Sequence, residues 1–240
     1  MSFATLPSPL VYDRRVPHVT PTLDRIAALV PVRGLDVAKS RLGEALDAEE
    51  RRSLVERLLR RTVEAALATP WITAVAVVSA DPEVLALARV LGAHDVAQGG
   101  GGLNEGLDEA RSWAVGAGAD AVLVVPADLP AVSATELGQV IRAARGIAVA
   151  QSTRDRTARP LVTLVPDRAR TGTNVLLVAP ADAICFAFGE GSRAAHARAA
   201  ESIGAIYREV DGPLGLDLDT PDDLLAAEAL GLAGVRGETP

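Results

Sequence analysis

Apolar residues follow two patterns that alternate along the chain from residue 26 onwards. Short continuous runs, such as IAALVPV at 26–32, are typical of strands that are buried on both faces of a sheet. Between these runs, apolar residues such as Leu54, Leu58 and Leu59 recur at helical spacing. The runs predict strands at 26–32, 73–79, 121–126, 147–151, 161–165, 174–178 and 205–210, and the helical stripes predict helices at 47–69, from 81 onwards, and at 104–117, 133–144, 191–203 and 221–230.

This order of elements predicts an α/β fold with one doubly wound, mostly parallel sheet and helices on both faces. Signals at the helix starts support the assignment. Asp47 and Glu50 have the spacing of a capping box, Asp81 precedes a proline at the first helical position, and Ser133 is the predicted cap of the helix at 133–144. The chain has no internal repeat and no linker between two domains.

Length and composition are consistent with a single domain with tails. Residues 1–24 contain four prolines without periodicity and predict a flexible N-terminal extension, followed by a domain at 25–231 and a C-terminal tail at 232–240. Hydrophobic residues make up 49% of the chain but aromatic residues only 3%, so the core must be aliphatic.

Charge and cysteine content exclude several classes of protein. The net charge of −7 argues against a nucleic-acid-binding face. The single cysteine, Cys185, excludes an internal disulfide and a cysteine metal cluster. No apolar run approaches the roughly 20 residues of a membrane span, and the N-terminus has no signal-peptide pattern. We therefore expect a soluble cytoplasmic protein that binds neither membrane nor nucleic acid.

Lys39 is the only lysine, whereas the other 23 basic side chains are arginine. It follows the first predicted strand, where α/β folds place phosphate-binding groups. A lysine offers a compact charge with three rotatable donors, which a guanidinium does not reproduce. The alternative is that Lys39 was retained by chance on a solvated loop and has no specific role.

A run of four glycines, ending at Gly102, opens the helix at 104–117. Glycines allow close approach of the backbone to a ligand, and a helix N-terminus presents free N–H groups. The alternative is a plain flexible loop with Asn104 as the helix cap.

Acidic residues occur at two places where a ligand could bind. Asp128 lies between two prolines at the end of the strand at 121–126, and a carboxylate there could hold Mg²⁺. Asp217 and Asp219 are two residues apart, so in an extended segment they face the same side. The alternatives are that Asp128 is a turn residue and that Asp219 or Thr220 caps the last helix.

Two further segments, TGTN at 171–174 and FGEGSR at 188–193, precede a strand and a helix and are candidates for binding an acceptor. His196 lies one turn further along this helix and is interpreted as a surface residue rather than a catalyst. The chain has no GxxxxGK[ST] loop, which argues against a P-loop enzyme.

The ordered set PVR…AKSRL, GGLNEGL, VPADLP, TGTN, FGEGS and LDLDTPDDL, spread over residues 26–230, resembles the guanylyltransferases of coenzyme F420 biosynthesis. The resemblance implies a GT-A-like nucleotidyltransferase fold and transfer of GMP from GTP to a phosphorylated acid: phosphoenolpyruvate, 2-phospho-L-lactate or 3-phosphoglycerate. It implies catalytic roles for Lys39 and Asp128, and hand-over of the product to the next transferase. The implied ligands are the nucleotide at Arg33, Lys39, Arg41, Gly102 and Asn104, the acceptor at Thr173, Gly189, Gly191 and Ser192, and two Mg²⁺ ions at Asp128, Asp217 and Asp219.

The chemistry agrees with this resemblance, because an ionised phosphate can attack without a strong general base, and positioning and charge neutralisation supply the catalysis. Arg33 stands where many relatives carry lysine. Two alternatives remain: a molybdenum-cofactor or sugar-phosphate nucleotidyltransferase, and a regulatory protein that binds a nucleotide without turnover. Either a monomer or a homodimer is compatible with the chain.

Overall fold

The structure, a computed structural model, describes residues 22–35, 42, 45–154 and 159–232. Most of the predicted extension, all of 233–240, and both Lys39 and Arg41 lie outside this part of the chain. The strands are β1 (Ile26–Pro31), β2 (Ile72–Ser79), β3 (His94–Ala97), β4 (Ala121–Val124), β5 (Leu161–Pro166), β6 (Thr173–Ala179) and β7 (Ile206–Glu209). The helices are α1 (Ala48–Leu67), α2 (Pro82–Val90), α3 (Leu103–Gly116), α4 (Ala134–Arg154), α5 (Ser192–Ser202) and α6 (Pro221–Ala229).

The seven strands form one sheet in the order β3-β2-β1-β4-β6-β5-β7. All neighbours pair in parallel except β6, which is antiparallel to both β4 and β5. The prediction of a mostly parallel α/β sheet is confirmed. The reversal of β6 has a direct effect on the site, because it brings the start of β6 to the edge where the parallel strands end.

Side chains alternate between the two faces of the sheet and build two aliphatic layers. Ile26, Ala28 and Val30 belong to the layer that also contains residues of α1, α2 and α4, whereas Ala27 and Leu29 belong to the layer with residues of α3 and α5. All five of these β1 residues are fully buried. Burial on both faces explains why β1 is a continuous apolar run rather than an alternating one.

A third, smaller cluster anchors the C-terminal segment to the rest of the domain. It joins residues before and within α1 to Leu216, Leu218 and α6, all largely buried. Its members are Leu42, Leu46, Leu54, Leu58, Leu216, Leu218, Leu224 and Ala227. This cluster fixes the segment that carries Asp217 and Asp219.

Predicted helix starts agree with the structure. Asp47 and Glu50 form a capping box, in which the Asp47 Oδ1 accepts from the Glu50 N–H at 2.9 Å. The Asp81 side chain caps α2, and the Ser133 Oγ accepts from the Glu136 N–H at 3.2 Å at the start of α4.

One prediction of secondary structure is wrong, and one strand was not predicted. The apolar run at 147–151 is not a strand, because α4 continues through it to Arg154. Ile147 and Ala148 in this run are partly buried against the core, whereas Val149 is 64% exposed, as expected for one side of a helix. Strand β3 was not predicted, because it is a four-residue edge strand with half-exposed side chains and no apolar alternation. In the described part of the chain, no helix is both long and apolar enough to cross a bilayer.

Candidate active site

A pocket of about 820 Å³ opens at the edge of the sheet where the parallel strands end. Its wall includes the last residue of β1, the end of β2 and the loop after β4, as expected for ligand sites in such sheets. The first residue of the reversed strand β6 lies at the same edge. The lining residues are Pro31, Val32, Arg33, Val55, Leu58, Val78, Gln98, Gly101, Gly102, Leu103, Pro126, Ala127, Asp128, Asp167, Gly172, Thr173, Asn174, Phe188, Gly189, Ser192, Asp217 and Asp219.

Four half-buried carboxylates line this pocket, and a backbone bond links the two segments that carry three of them, Asp128, Asp217 and Asp219. The Leu218 N–H donates to the carbonyl oxygen of Asp128 at 3.1 Å. Leu216 and Leu218 point into the third cluster, so the extended chain directs Asp217 and Asp219 to the opposite side, into the pocket. The predicted convergence of distant acidic residues is therefore present in the fold.

The last helix has a cap of its own, which separates Asp219 from a capping role. Thr220 is the N-cap of α6, and its Oγ1 accepts from the Asp223 N–H at 3.3 Å. The Asp223 Oδ2 in turn accepts from the N–H groups of Thr220 at 2.8 Å and Asp219 at 3.2 Å. The alternative that Asp219 caps this helix is wrong.

The donor set suits a hard cation only together with a substrate. In the described part of the chain, no three His, Cys, Asp or Glu side chains are arranged to hold a metal by themselves. Mg²⁺ usually takes one or two protein carboxylates and completes its shell with phosphate oxygens and water. Carboxylates beside a roomy pocket fit that mode of binding.

The run of glycines is held by side chains rather than left as a plain flexible loop. The Gln98 Nε2 donates to the carbonyl oxygens of Gly100, Gly101 and Gly102 at 3.2, 3.3 and 2.9 Å. The Gly102 N–H donates to the Glu105 Oε2 at 2.9 Å. Gly101 has φ 75°, and a Cβ there would meet the Glu105 side chain at 3.0 Å. The turn therefore requires glycine and presents Gly101 and Gly102 to the pocket.

Asn104 does not cap α3, because Gly102 occupies the cap position. Its amide instead bridges to the far side of the pocket. The Asn104 Oδ1 accepts from the Phe188 N–H at 2.8 Å, and its Nδ2 donates to the Phe188 carbonyl at 3.1 Å. Asn104 is outside the pocket lining, so the structure gives it a positioning role for Phe188.

At another end of the pocket, Thr173, Gly189 and Ser192 line the wall near the N-terminus of α5. Gly191 is the cap residue of α5, with φ 68°, and lies behind the lining. Asp167 also lines this end, and its Oδ1 accepts from the Thr171 N–H at 2.8 Å.

Arg193, at the start of α5, forms an ion pair with Glu209 and is therefore not a free cation. The Arg193 guanidinium donates to the Glu209 Oε1 at 2.7 Å, and this contact holds the pKa of that carboxyl below its usual range. The Arg193 N–H also donates to the Thr171 carbonyl at 3.2 Å. These contacts hold the turn before β6 against α5.

His196 is fully buried, so its interpretation as a surface residue is wrong. Its Nδ1 is 3.0 Å from the Thr173 Oγ1, and its Nε2 accepts from the Ala187 N–H at 3.1 Å. Burial lowers the pKa of the imidazole from 6.5 to about 4, so the ring is neutral near pH 7.

Eight of the predicted site residues line the one pocket: Arg33, Gly102, Asp128, Thr173, Gly189, Ser192, Asp217 and Asp219. Asn104 and Gly191 lie behind the wall, and Lys39 and Arg41 are outside the described residues. Sequence reasoning missed Gln98 and Asp167, included Phe188 only as part of the segment at 188–193, and interpreted His196 wrongly as a surface residue. The single available signal for His196 was its spacing of four from Ser192 and from Ala200, which form the buried stripe of α5.

A family model described as "Guanylyl transferase CofC like" matches residues 26–231. The chain belongs to this family. A phosphoenolpyruvate guanylyltransferase from Rubrobacter xylanophilus is 41% identical over 86% of this chain and 95% of its own length. Another from Sphaerobacter thermophilus is 45% identical over 82% of this chain and 89% of its own length.

Solved structures agree at the level of the fold. A nucleotidyl transferase from Methanothermobacter superposes with a TM-score of 0.56, at 17% identity, over 86% of this chain and 97% of its own. The predicted nucleotidyltransferase-like fold and the predicted guanylyltransferase family are thus both confirmed.

Proposed function

We propose that this guanylyltransferase transfers GMP from GTP to the phosphate of phosphoenolpyruvate and releases pyrophosphate, as a step of coenzyme F420 biosynthesis. The observation that carries the proposal is a pocket whose lining combines Asp128, Asp217 and Asp219 with a glycine turn and with a hydroxyl-lined end at Thr173 and Ser192. The names of the relatives from Rubrobacter and Sphaerobacter support phosphoenolpyruvate as the acceptor. The retained alternatives for the acceptor are 2-phospho-L-lactate and 3-phosphoglycerate.

The nucleotide would occupy the end of the pocket formed by the glycine turn. Val32, Val78 and Leu103 give this end an apolar wall that suits a planar base, and Gly101 and Gly102 allow the backbone to approach the ligand. Arg33 is an exposed residue of the pocket lining and would neutralise phosphate charge. Lys39 and Arg41 are proposed as further triphosphate ligands on the strength of the family motif.

Asp128, Asp217 and Asp219 would hold Mg²⁺, with two ions proposed. When bound, the metal neutralises charge on the attacking and leaving oxygens. The protein keeps the carboxylates in register through the Leu218–Asp128 backbone bond and the buried leucines beside them.

The acceptor would occupy the end lined by Thr173, Gly189 and Ser192. The N-terminus of α5 favours an anion there. One phosphate oxygen of the acceptor forms a bond to the α-phosphorus of GTP, and the bond to the β-phosphate oxygen breaks, so pyrophosphate leaves. The attacking phosphate is already ionised, so the pocket needs to position the two substrates rather than remove a proton. The product would pass to the next transferase of the pathway.

Pyrophosphate release with GTP and Mg²⁺ tests the proposal when the three phosphorylated acids are compared. We expect the highest kcat/KM with phosphoenolpyruvate, and no release in EDTA. Glycerol phosphate is the matched control, since it has the phosphate but lacks the carboxylate, and it should react far more slowly. Equal rates with glycerol phosphate and phosphoenolpyruvate would contradict the proposal, and release with CTP as fast as with GTP would favour a sugar-phosphate nucleotidyltransferase.

A further inference from the structure

His196 is a buried side chain that the transfer reaction does not use directly, yet it contacts a hydroxyl of the pocket wall. The imidazole has no exposed surface. Its two ring nitrogens have one partner each, the Thr173 hydroxyl and the Ala187 N–H. The edge of the same ring meets the Phe188 ring, with centroids 5.0 Å apart. One side chain thus contacts both segments that carry the hydroxyl-lined end of the pocket.

The donor and acceptor roles in this contact follow from elementary chemistry. A backbone N–H can only donate, so the His196 Nε2 must offer its lone pair to Ala187. A neutral imidazole carries one proton, which is then on Nδ1. A protonated ring would direct an N–H at the Ala187 N–H, and the burial that depresses its pKa opposes that state.

The tautomer decides what the Thr173 hydroxyl can do. The Nδ1–H donates to the Thr173 Oγ1 at 3.0 Å, so the hydroxyl oxygen is the acceptor in this bond. The hydroxyl keeps its own proton for another partner. Among the described residues, His196 is the one hydrogen-bond partner of this hydroxyl, and Thr173 lines the pocket.

We propose that His196 is a positioning residue that commits the Thr173 hydroxyl to donate its proton to an anionic oxygen of the acceptor. This inference deepens the proposed function and rests on it. A hydroxyl that is free to rotate could accept or donate with equal ease. A hydroxyl that accepts from the imidazole keeps its one proton for the ligand, and an unprotonated phosphate or carboxylate oxygen is the partner that can take this hydrogen bond.

Two substitutions of His196 separate the two bonds of the ring. The amide nitrogen of asparagine reaches the place of Nδ1, so His196→Asn keeps a donor for Thr173 and loses the acceptor for Ala187. The amide oxygen of glutamine reaches the place of Nε2, so His196→Gln keeps the acceptor for Ala187 and loses the donor for Thr173.

If the proposal holds, His196→Gln raises the KM for phosphoenolpyruvate about tenfold, the effect of one hydrogen bond to a charged group, while the KM for GTP stays unchanged. His196→Asn should fall between wild type and His196→Gln. In a Thr173→Val background, His196→Gln should add no further loss, because the hydroxyl through which it acts is gone. Additive losses in that background, or an unchanged KM in His196→Gln, would overturn the proposal.

The tautomer can be read without any turnover, which separates this inference from the proposed function. Two-bond proton–nitrogen spectra of the ¹⁵N-labelled wild-type protein should show the His196 proton on Nδ1 at about pH 7. The chain has three histidines, so comparison with the His196→Gln spectrum assigns the signal. A proton on Nε2 contradicts the inference whatever the enzyme transfers. If the wild-type protein has the Nδ1 tautomer but releases no pyrophosphate with any acceptor, the proposed function fails and the choice of acceptor is overturned with it.

Discussion

Acidification should destabilise the protein through His196 in a pH range where few other groups titrate. The folded pKa of this imidazole is about 4, against 6.5 for an unperturbed histidine. Between these values the unfolded chain binds a proton that the folded chain does not, so the free energy of unfolding falls as the pH falls. At about 1.36 kcal/mol per pH unit, the loss reaches roughly 3 kcal/mol at pH 4 and does not grow below it.

Urea unfolding of wild type and His196→Gln, measured at intervals from about pH 7.5 to pH 4, isolates this effect. Above pH 6.5 the wild type has the larger free energy of unfolding, because it keeps both ring bonds and its packing. The difference between the two proteins should shrink by roughly 3 kcal/mol as the pH falls to 4, since the variant has no imidazole to protonate. A difference that stays constant over this range would refute the reasoning.

Other titrating groups do not change the difference in free energy of unfolding between the two proteins. Asp95, Asp120 and Glu209 have a pKa held below the ordinary values of 3.8 and 4.5 by their arginine partners, so their contributions begin to be lost only as the pH falls past those values. Both proteins share them, and they cancel in the difference. His94→Gln is a matched control, because His94 is exposed and stacks on Trp113; the pH-dependent loss should persist in that variant.

Asp128→Asn should reduce kcat by at least about 10²–10³, because the metal charge strongly stabilises the transferring phosphoryl group. The protein should stay folded, because the bond from Asp128 to the 217–219 segment uses the main-chain carbonyl. Asp222→Asn, which changes an exposed carboxylate at the start of α6, is the control, and near-normal turnover in a folded Asp128→Asn protein would contradict the metal assignment. Lys39→Ala should strongly impair guanylyl transfer and Lys39→Arg should restore it only in part, whereas unchanged kinetic constants for GTP in Lys39→Ala would make Lys39 a surface residue. Asn104→Ala removes two bonds to Phe188 and should lower the free energy of unfolding by about 2 kcal/mol and Tm by about 4–8 °C; a thermal melt checks this, and an unchanged Tm would argue against the clamp.

The fold could be predicted wherever burial produces a recognisable pattern of apolar residues in the local sequence. Strand β1 is buried on both faces and appears as an apolar run, and α1 shows both its stripe and its capping box. Prediction was wrong where the run at 147–151 continued a helix, since four apolar residues do not distinguish a strand from a helix. The reversal of β6 depends on pairing with β4 and β5 across the sheet, which no local pattern encodes.

The site residues also divide into those that the sequence could predict and those that it could not. Asp128, Asp217 and Asp219 could be found because strand ends and extended segments have a known geometry relative to the sheet. Gln98 could not be found, because it is one polar residue after an edge strand, and its role exists only through three carbonyls of the folded turn. The role of His196 depends on its contact with Thr173, which lies 23 residues earlier in the chain, and the spacing of residues in the sequence does not indicate that contact.

The reversed strand β6 also places part of the proposed acceptor site on a different stretch of the chain from the residues proposed for turnover. Strands β5 and β6 form an antiparallel pair joined by a short connection, and this hairpin brings Thr173 and Asp167 to the pocket. Asp128, the glycine turn and the end of β1 come from the other half of the sheet. The hairpin is a contiguous piece of about twenty residues, 161–179, with its own register. Exchanging it between guanylyltransferases would replace the segment that carries Thr173 and Asp167 while leaving Asp128, Asp217 and Asp219 outside the exchanged piece, so that selection for a new acceptor and retention of turnover fall on different stretches of the gene.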